Sequence, residues 1–241
     1  MTDTSKTEYL ANGTPVCITA QHRFGTDAML LSAFCGVHRD WSACDLGSGC
    51  GIIPLRWHDM GHRGRCVGVE LSPEGTALLG QAAAAMPHIT AVCADLRTLE
   101  PCGNFDLVSC NPPYFTGGRL SEKPNRATAR HEVTCTAADV ACAAAKLLRD
   151  GGRLCICNRP ERLADYIVAS RLAGLEPKRL RFVRSRRDAV PWLFLLDCRK
   201  AGRSGLHLEA DLITENDTGG CSDELLQIYG KQPPKDSPPK Q

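Results

Sequence analysis

No run of eighteen consecutive apolar residues occurs anywhere in the 241 residues, so no transmembrane helix and no membrane partner are expected. The first twenty residues lack the apolar core of a secretion signal, which points to a cytoplasmic protein. No C-x-x-C pair is present, and the tightest spacing, Cys155 and Cys157, would put both thiols on one face of a strand; no metal site is expected. Neither sign of charge dominates: the formal net charge is +2, so any affinity for phosphate must come from local clusters. Cysteine, by contrast, is plentiful. The 14 residues are spread from Cys17 to Cys221, many within apolar runs, and read as reduced, mostly buried thiols rather than a disulfide scaffold. With 43% hydrophobic and 23% charged residues, the chain has an ordinary globular composition.

Short runs rich in Val, Ile, Leu and Cys alternate with segments of helical period, the signature of an α/β fold with helices on both faces of a parallel sheet. Seven strands are expected, at 42–46, 66–71, 90–94, 105–110, 153–157, 180–184 and 193–198. Helices are expected to begin at Gly25-Thr26-Asp27, at Ser72-Pro73-Glu74, at Thr136 and at Pro160. Residues 1–40 form a leading segment packed on the core, 41–200 the core domain and 201–230 a short extension, with a possible hairpin near 207–214. Residues 231–241, rich in Pro and Lys, read as a disordered tail.

Asp45-Leu46-Gly47-Ser48-Gly49-Cys50-Gly51 follows the first of these strands and precedes an apolar helix. Glycines there let a ligand approach the backbone, and the helix N-terminus offers unpaired N–H groups. The spacing G-x-G-x-G after an Asp differs from the dinucleotide pattern and resembles motif I of class I methyltransferases. Asp45, Glu70 and Asp95 close three successive strands on the carboxyl edge, where open α/β sheets bind ligands. Glu70 is placed to accept hydrogen bonds from ribose hydroxyls.

The fourth strand runs into Asn111-Pro112-Pro113-Tyr114. Two prolines remove two N–H donors and stiffen the backbone, leaving the carbonyls of Asn111 and Pro112 as acceptors. An exocyclic amino group is a poor nucleophile because its lone pair is delocalised into the ring. If the Asn111 side-chain oxygen and the Pro112 carbonyl each accept one N–H, that lone pair can face a methyl donor in line. Tyr114 would stack on the base.

The chain resembles class I S-adenosylmethionine-dependent amino-methyltransferases, and more narrowly the bacterial tRNA adenine-N6 methyltransferases that act on adenine 37 of valine tRNA. That narrower likeness is carried by Gln21-His22-Arg23-Phe24-Gly25-Thr26-Asp27-Ala28-Met29-Leu30-Leu31 ahead of motif I. It is carried also by Phe115 after the tetrapeptide, by Ala129-Arg130-His131-Glu132, and by Arg184-Ser185-Arg186 before the last strand. It covers roughly residues 15 to 213. The resemblance implies a Rossmann-like, seven-stranded, mostly parallel sheet with an antiparallel last strand. It also implies S-adenosyl-L-methionine as cofactor, with Thr26, Asp45, Gly47, Ser48, Gly49, Gly51, Glu70, Leu71, Asp95, Leu96 and Asn111 around it. Asp45 would position the amino-acid end of the cofactor and Asp95 its adenine amino group.

Asn111, Pro112 and Tyr114 are then the catalytic residues, and tRNA is the expected partner of a monomer or weak homodimer. Arg119, Lys123, Arg126 and Arg130, beside the tetrapeptide, are candidates to grip phosphates, with Pro113 and Phe115 against the substrate. A second basic run, from Lys178 to Arg187, either binds RNA or solvates a strand edge. Three other readings stay open: an N5-glutamine methyltransferase of a protein, a guanine-N2 RNA methyltransferase, and a non-catalytic RNA-binding subunit. The first of these families carries a helical substrate domain ahead of the core, whereas about forty residues precede motif I here.

Overall fold

The computed structural model of the chain describes residues 5–100, 104–112 and 135–231. The strands expected from apolar runs all form: β3 (Ala43–Leu46), β4 (Cys66–Glu70), β5 (Ile89–Cys93), β6 (Phe105–Cys110), β7 (Leu148–Asn158), β8 (Leu175–Arg184) and β9 (Leu193–Lys200). They lie in the order β8-β9-β7-β6-β3-β4-β5. β9 is antiparallel to both β7 and β8, and the other neighbouring pairs are parallel. This is the expected Rossmann-like sheet. β7 and β8 each begin five residues earlier than the apolar runs suggested, because polar residues such as Arg149, Asp150 and Glu176 lie at the sheet margin, where hydrophobicity carries no signal.

Two apolar layers cover the sheet. One gathers α1 (Thr26–Phe34), α2 (Ile52–Asp59) and α3 (Pro73–Ala82) over Leu107, Cys155, Cys157, Leu193 and Leu195. The other packs α4 (Ala137–Leu147) and α5 (Leu163–Leu172) over Val108, Leu154, Ile156, Phe194 and Leu196. Alternate residues of one strand thus feed opposite layers, as the two-residue period of a strand requires. Cys44, Cys66, Cys110, Cys155, Cys157 and Cys198 are buried among them as free thiols.

The helix starts follow from capping chemistry. Thr136 Oγ1 accepts the Asp139 N–H at 3.2 Å while the Asp139 carboxylate accepts the Thr136 N–H at 2.9 Å, closing a reciprocal box at the start of α4. Ser72 Oγ accepts the Gly75 N–H at 3.3 Å with Pro73 in the first turn of α3.

Two additions lie outside the seven-stranded core. A hairpin of β1 (Lys6–Tyr9) and β2 (Pro15–Ile18) places Val16, Cys17 and Ile18 in the first layer. The Asn12 amide at its turn bonds to Asp59 at the end of α2. At the other end, β10 (His207–Leu208) and β11 (Leu212–Ile213) do not pair with each other as a hairpin. Both join β8 in parallel, extending the sheet edge. α6 (Asp223–Ile228) then folds back, and the Tyr229 hydroxyl bonds to Thr26 Oγ1 at 3.1 Å, tying the extension to the start of α1.

Candidate active site

The carboxyl ends of β3 to β7 form one edge of the sheet, and the residues singled out in motif I lie there. Gly47, Gly49 and Gly51 all have positive φ, at 69°, 56° and 81°. At Gly51 the requirement is also steric: a Cβ would lie 2.3 Å from Leu79 Cδ1, inside the packed core. At Gly47 and Gly49 nothing lies within 4 Å of where a Cβ would be, so the turn faces open space that a ligand can enter.

Asp45 is 1% exposed and accepts a hydrogen bond from Ser109 Oγ at 2.5 Å. Burial pushes its carboxyl up to about 7, with the hydroxyls of Ser109 and Ser48 opposing that rise. Ser48 Oγ, though close enough to act on Asp45, is buried without a hydrogen bond of good geometry. A buried hydroxyl and a buried carboxyl under a turn open to solvent can offer polar partners to a ligand.

Glu70 organises the next part of the edge. Its two oxygens accept the Gly49 N–H at 2.7 Å and the Ser72 N–H at 2.8 Å, which joins the glycine turn to the start of α3. Each oxygen keeps a second lone pair for a hydroxyl donor. Leu71 beside it is 54% exposed, an apolar face of the kind a purine ring would cover. Asp95 stands two residues beyond β5 rather than closing it, and its carboxylate is chelated by Arg97 through the Arg97 amide and guanidinium, which also hold its pKa below the usual carboxylate range. Leu96 packs against the second layer.

The leading segment bridges this edge. His22 Nε2 lies 3.2 Å from Ser72 Oγ, near the end of β4, while Thr26 starts α1, which packs on β7 and β9.

Asn111 is half-buried directly after β6, and Pro112 is buried. Register sets Cys110 beside Ile156, so Asn111 meets Cys157 of β7, whose Sγ lies 3.0 Å from Asn111 Oδ1 as donor. The sequence did not mark Cys157, Ser109 or Ser72 as site residues. All three sit at strand ends next to a motif, and that position was their one available signal. Pro113, Tyr114, Phe115, Arg119, Lys123, Arg126 and Arg130 lie outside the described residues.

The basic run on β8 is largely neutralised inside the fold. Arg179 pairs with Asp197 at 2.8 Å and Glu209 at 3.0 Å, Arg181 with Glu224 at 2.7 Å, and Arg184 with Asp211. Lys178 Nζ bonds the carbonyls of Arg203 and Gly205. These cations fasten the C-terminal extension to the sheet; Arg186 and Arg187, in the following turn, are exposed.

No protein-family model matches the chain. Among solved structures, a predicted O-methyltransferase from Agrobacterium tumefaciens superposes with a TM-score of 0.70 at 20% identity, over 85% of this chain and 95% of that one. A geranyl diphosphate methyltransferase in complex with SAM gives 0.54 at 15% identity, over 72% and 84%. Both share the fold. In sequence, the tRNA1(Val) (adenine(37)-N6)-methyltransferase of Porphyromonas gingivalis is 31% identical over 184 residues, 66% of this chain and 72% of its own length. A protein of that name from Bacteroides fragilis is 26% identical over 86% of this chain and 88% of its own. With motif I, the acidic strand ends and Asn111-Pro112 on one edge of such a sheet, the chain belongs to the tRNA1(Val) (adenine(37)-N6)-methyltransferase family.

Proposed function

We propose that this protein transfers a methyl group from S-adenosylmethionine to the exocyclic N6 of an adenine in tRNA, adenine 37 of valine tRNA being the target named for its relatives. The observation that carries the reading is the Asn111 carboxamide at the carboxyl end of β6, with Cys157 on one lone pair of its oxygen. The carboxamide oxygen and the Pro112 carbonyl are the two acceptors offered to an amino group. Two acceptors on one amino group orient its lone pair and stabilise the positive charge that grows on nitrogen as the new bond forms.

The cofactor, when bound, supplies an electrophilic methyl on its sulfonium. The chain's own groups suit its other parts. Gly47 and Gly49 leave room at the turn, Asp45 and Ser48 offer polar partners for the amino-acid end, and Glu70 offers lone pairs to the ribose. Leu71 offers an apolar surface to the purine. Asp95, already held by Arg97, would be a shared acceptor for the adenine amino group.

The position of Asp45 makes cofactor binding depend on pH. Its carboxyl is protonated below about 7 in the free protein, and a cationic α-amino group favours the ionised form. Binding must then expel a proton below that point. Affinity should rise with pH, by up to about tenfold per unit, until it levels off above about 7. Isothermal titration with S-adenosylhomocysteine from pH 5.5 to 8.5 measures it, and Asp45→Asn should flatten the profile. The raised pKa has an opposite consequence for the unliganded fold. Its stabilising contribution is fully present below the ordinary value of 3.8 and is lost as pH rises through about 7.

The direct test is incubation with labelled methyl donor and unmodified total tRNA, followed by nucleoside mass spectrometry. N6-methyladenosine in valine tRNA is the expected product. Methylguanosine, or label in protein alone, would replace the reading with one of its alternatives.

A further inference from the structure

Beyond Asn111, the same sheet edge continues over β7 and β9 to a second opening. A cavity of about 370 Å³ lies between the start of α1, the turn joining β8 to β9, and the C-terminal extension. Trp192 lines it, with Thr26, Ser185, Thr214 and Glu215 contributing polar groups and Cys221 standing exposed among its lining residues. The volume lies in the range of small-molecule sites, and one aromatic wall with a few convergent polar groups is the composition of a nucleobase pocket.

Its position follows from strand register. Phe194 on β9 faces Asn158 on β7, and the Trp192 N–H bonds the Val183 carbonyl, so Trp192 stands just beyond the carboxyl end of β7. Arg159, the first residue after β7, donates to the Trp192 carbonyl at 3.2 Å. Since β6, β7 and β9 are successive neighbours, Trp192 and Asn111 are separated by two strand spacings, about 10 Å. The glycine turn and Glu70 lie on the other side of Asn111, on β3 and β4, so this opening, although it includes Thr26, is separated from them by β6 and is next to the place of the target base. Arg186 and Arg187, exposed in the turn that carries Ser185, line an adjoining opening that shares Glu215 and Gly219 with this one and also carries Asp188 and Asp217.

We propose that this cavity binds a second nucleobase of the substrate RNA, the one adjoining the methylated adenine, stacked on Trp192 with its phosphate toward Arg186 and Arg187. The assignment rests on the proposed RNA substrate. The C-terminal extension thereby becomes part of the substrate site: Thr214, Glu215 and Cys221 wall the cavity, and the ion pairs from β8 to Asp211 and Glu224 hold that wall in place. Stacking is tolerant of base identity, while the hydroxyls and the Glu215 carboxylate offer hydrogen bonds that discriminate among base edges.

The experiment uses the full-length protein and an anticodon stem-loop RNA, intact or with a single abasic nucleotide on either side of the target adenine. With wild-type protein, one of the two abasic RNAs should raise KM by about tenfold or more while kcat at saturation stays unchanged. Trp192→Ala should produce the same rise on intact RNA and no further rise on that abasic RNA. Trp192→Phe should keep most of the affinity, and Cys221→Trp, which fills the cavity while leaving Trp192 in place, should reproduce the loss. Unchanged KM in Trp192→Ala and Cys221→Trp, or losses that multiply with the abasic substitution, would overturn the assignment. If no RNA is methylated by the wild-type protein, the function proposed above fails instead. The cavity is then tested separately by titrating intrinsic fluorescence with a single-stranded RNA hexamer. Quenching that disappears in Trp192→Phe supports the site, and quenching that persists or never occurs refutes it.

Discussion

Asn111→Ala should keep the affinity for the cofactor while slowing methyl transfer about 10²–10³-fold, the cost of removing one well-placed polar group from a developing charge. The Asn111 oxygen is held from the side by Cys157 at 3.0 Å, and Asn111 comes directly after β6, ahead of two prolines that cannot relax the backbone. Truncation to alanine removes one acceptor and leaves the Pro112 carbonyl in place, so residual activity above the uncatalysed rate is expected. The proposed cofactor cradle, built from Asp45 and Glu70 at the ends of neighbouring strands and Ser48 in the turn after β3, is untouched. Single-turnover methyl transfer measures the first effect and calorimetric titration with S-adenosylhomocysteine the second. Near-normal turnover with intact binding would remove Asn111 from the mechanism.

Asp197→Ala should destabilise the fold by about 3–5 kcal/mol, because it strips a buried carboxylate from two arginines at once. Asp197 is 3% exposed on β9 and accepts from Arg153 Nη2 at 2.7 Å and from Arg179 Nε at 2.8 Å, so it joins the three strands β7, β9 and β8 by charge as well as by backbone pairing. Arg179 retains Glu209 and the Phe34 carbonyl, whereas Arg153 is left over the Trp41 ring with its carboxylate partner gone. Urea unfolding of Asp197→Ala and Asp197→Asn gives the comparison. The amide, which keeps the shape and part of the hydrogen bonding, should lose less, and equal stability of the alanine variant and wild type would show that the pair contributes nothing.

That ion pair also explains why the basic run from Lys178 to Arg187 was ambiguous in sequence. The arginines of β8 have acidic partners at positions 197, 209, 211 and 224, up to 43 residues away, and no local pattern announces such pairings. The early starts of β7 and β8 and the β1–β2 hairpin escaped the reading for a related reason: the first residues of β7 and β8 include polar ones at the sheet margin, and strands of four residues such as β1 and β2 are too short for a period to show. The C-terminal segment showed enough alternation to be read as strand. Alternation says nothing about the partner, and both short strands chose β8 over each other.

What the sequence determined by itself are the features that a few consecutive residues specify. Apolar runs of strand length, a capping serine or threonine before a helix, glycines at positive φ after a strand, and two prolines after an asparagine all act through neighbouring dihedrals and hydrogen bonds. Their order along the chain sufficed for the sheet and for bringing the glycine turn, Glu70 and Asn111 to one edge of it. Only the tertiary structure decided what those residues touch. The Ser109 hydroxyl reaches Asp45 across 64 positions, the Cys157 thiol reaches Asn111 across 46, and Tyr229 reaches back to Thr26 across 203. Such contacts depend on which strands become neighbours and in which register, and register is set by burial summed over the whole sheet, not by any residue that takes part in the contact.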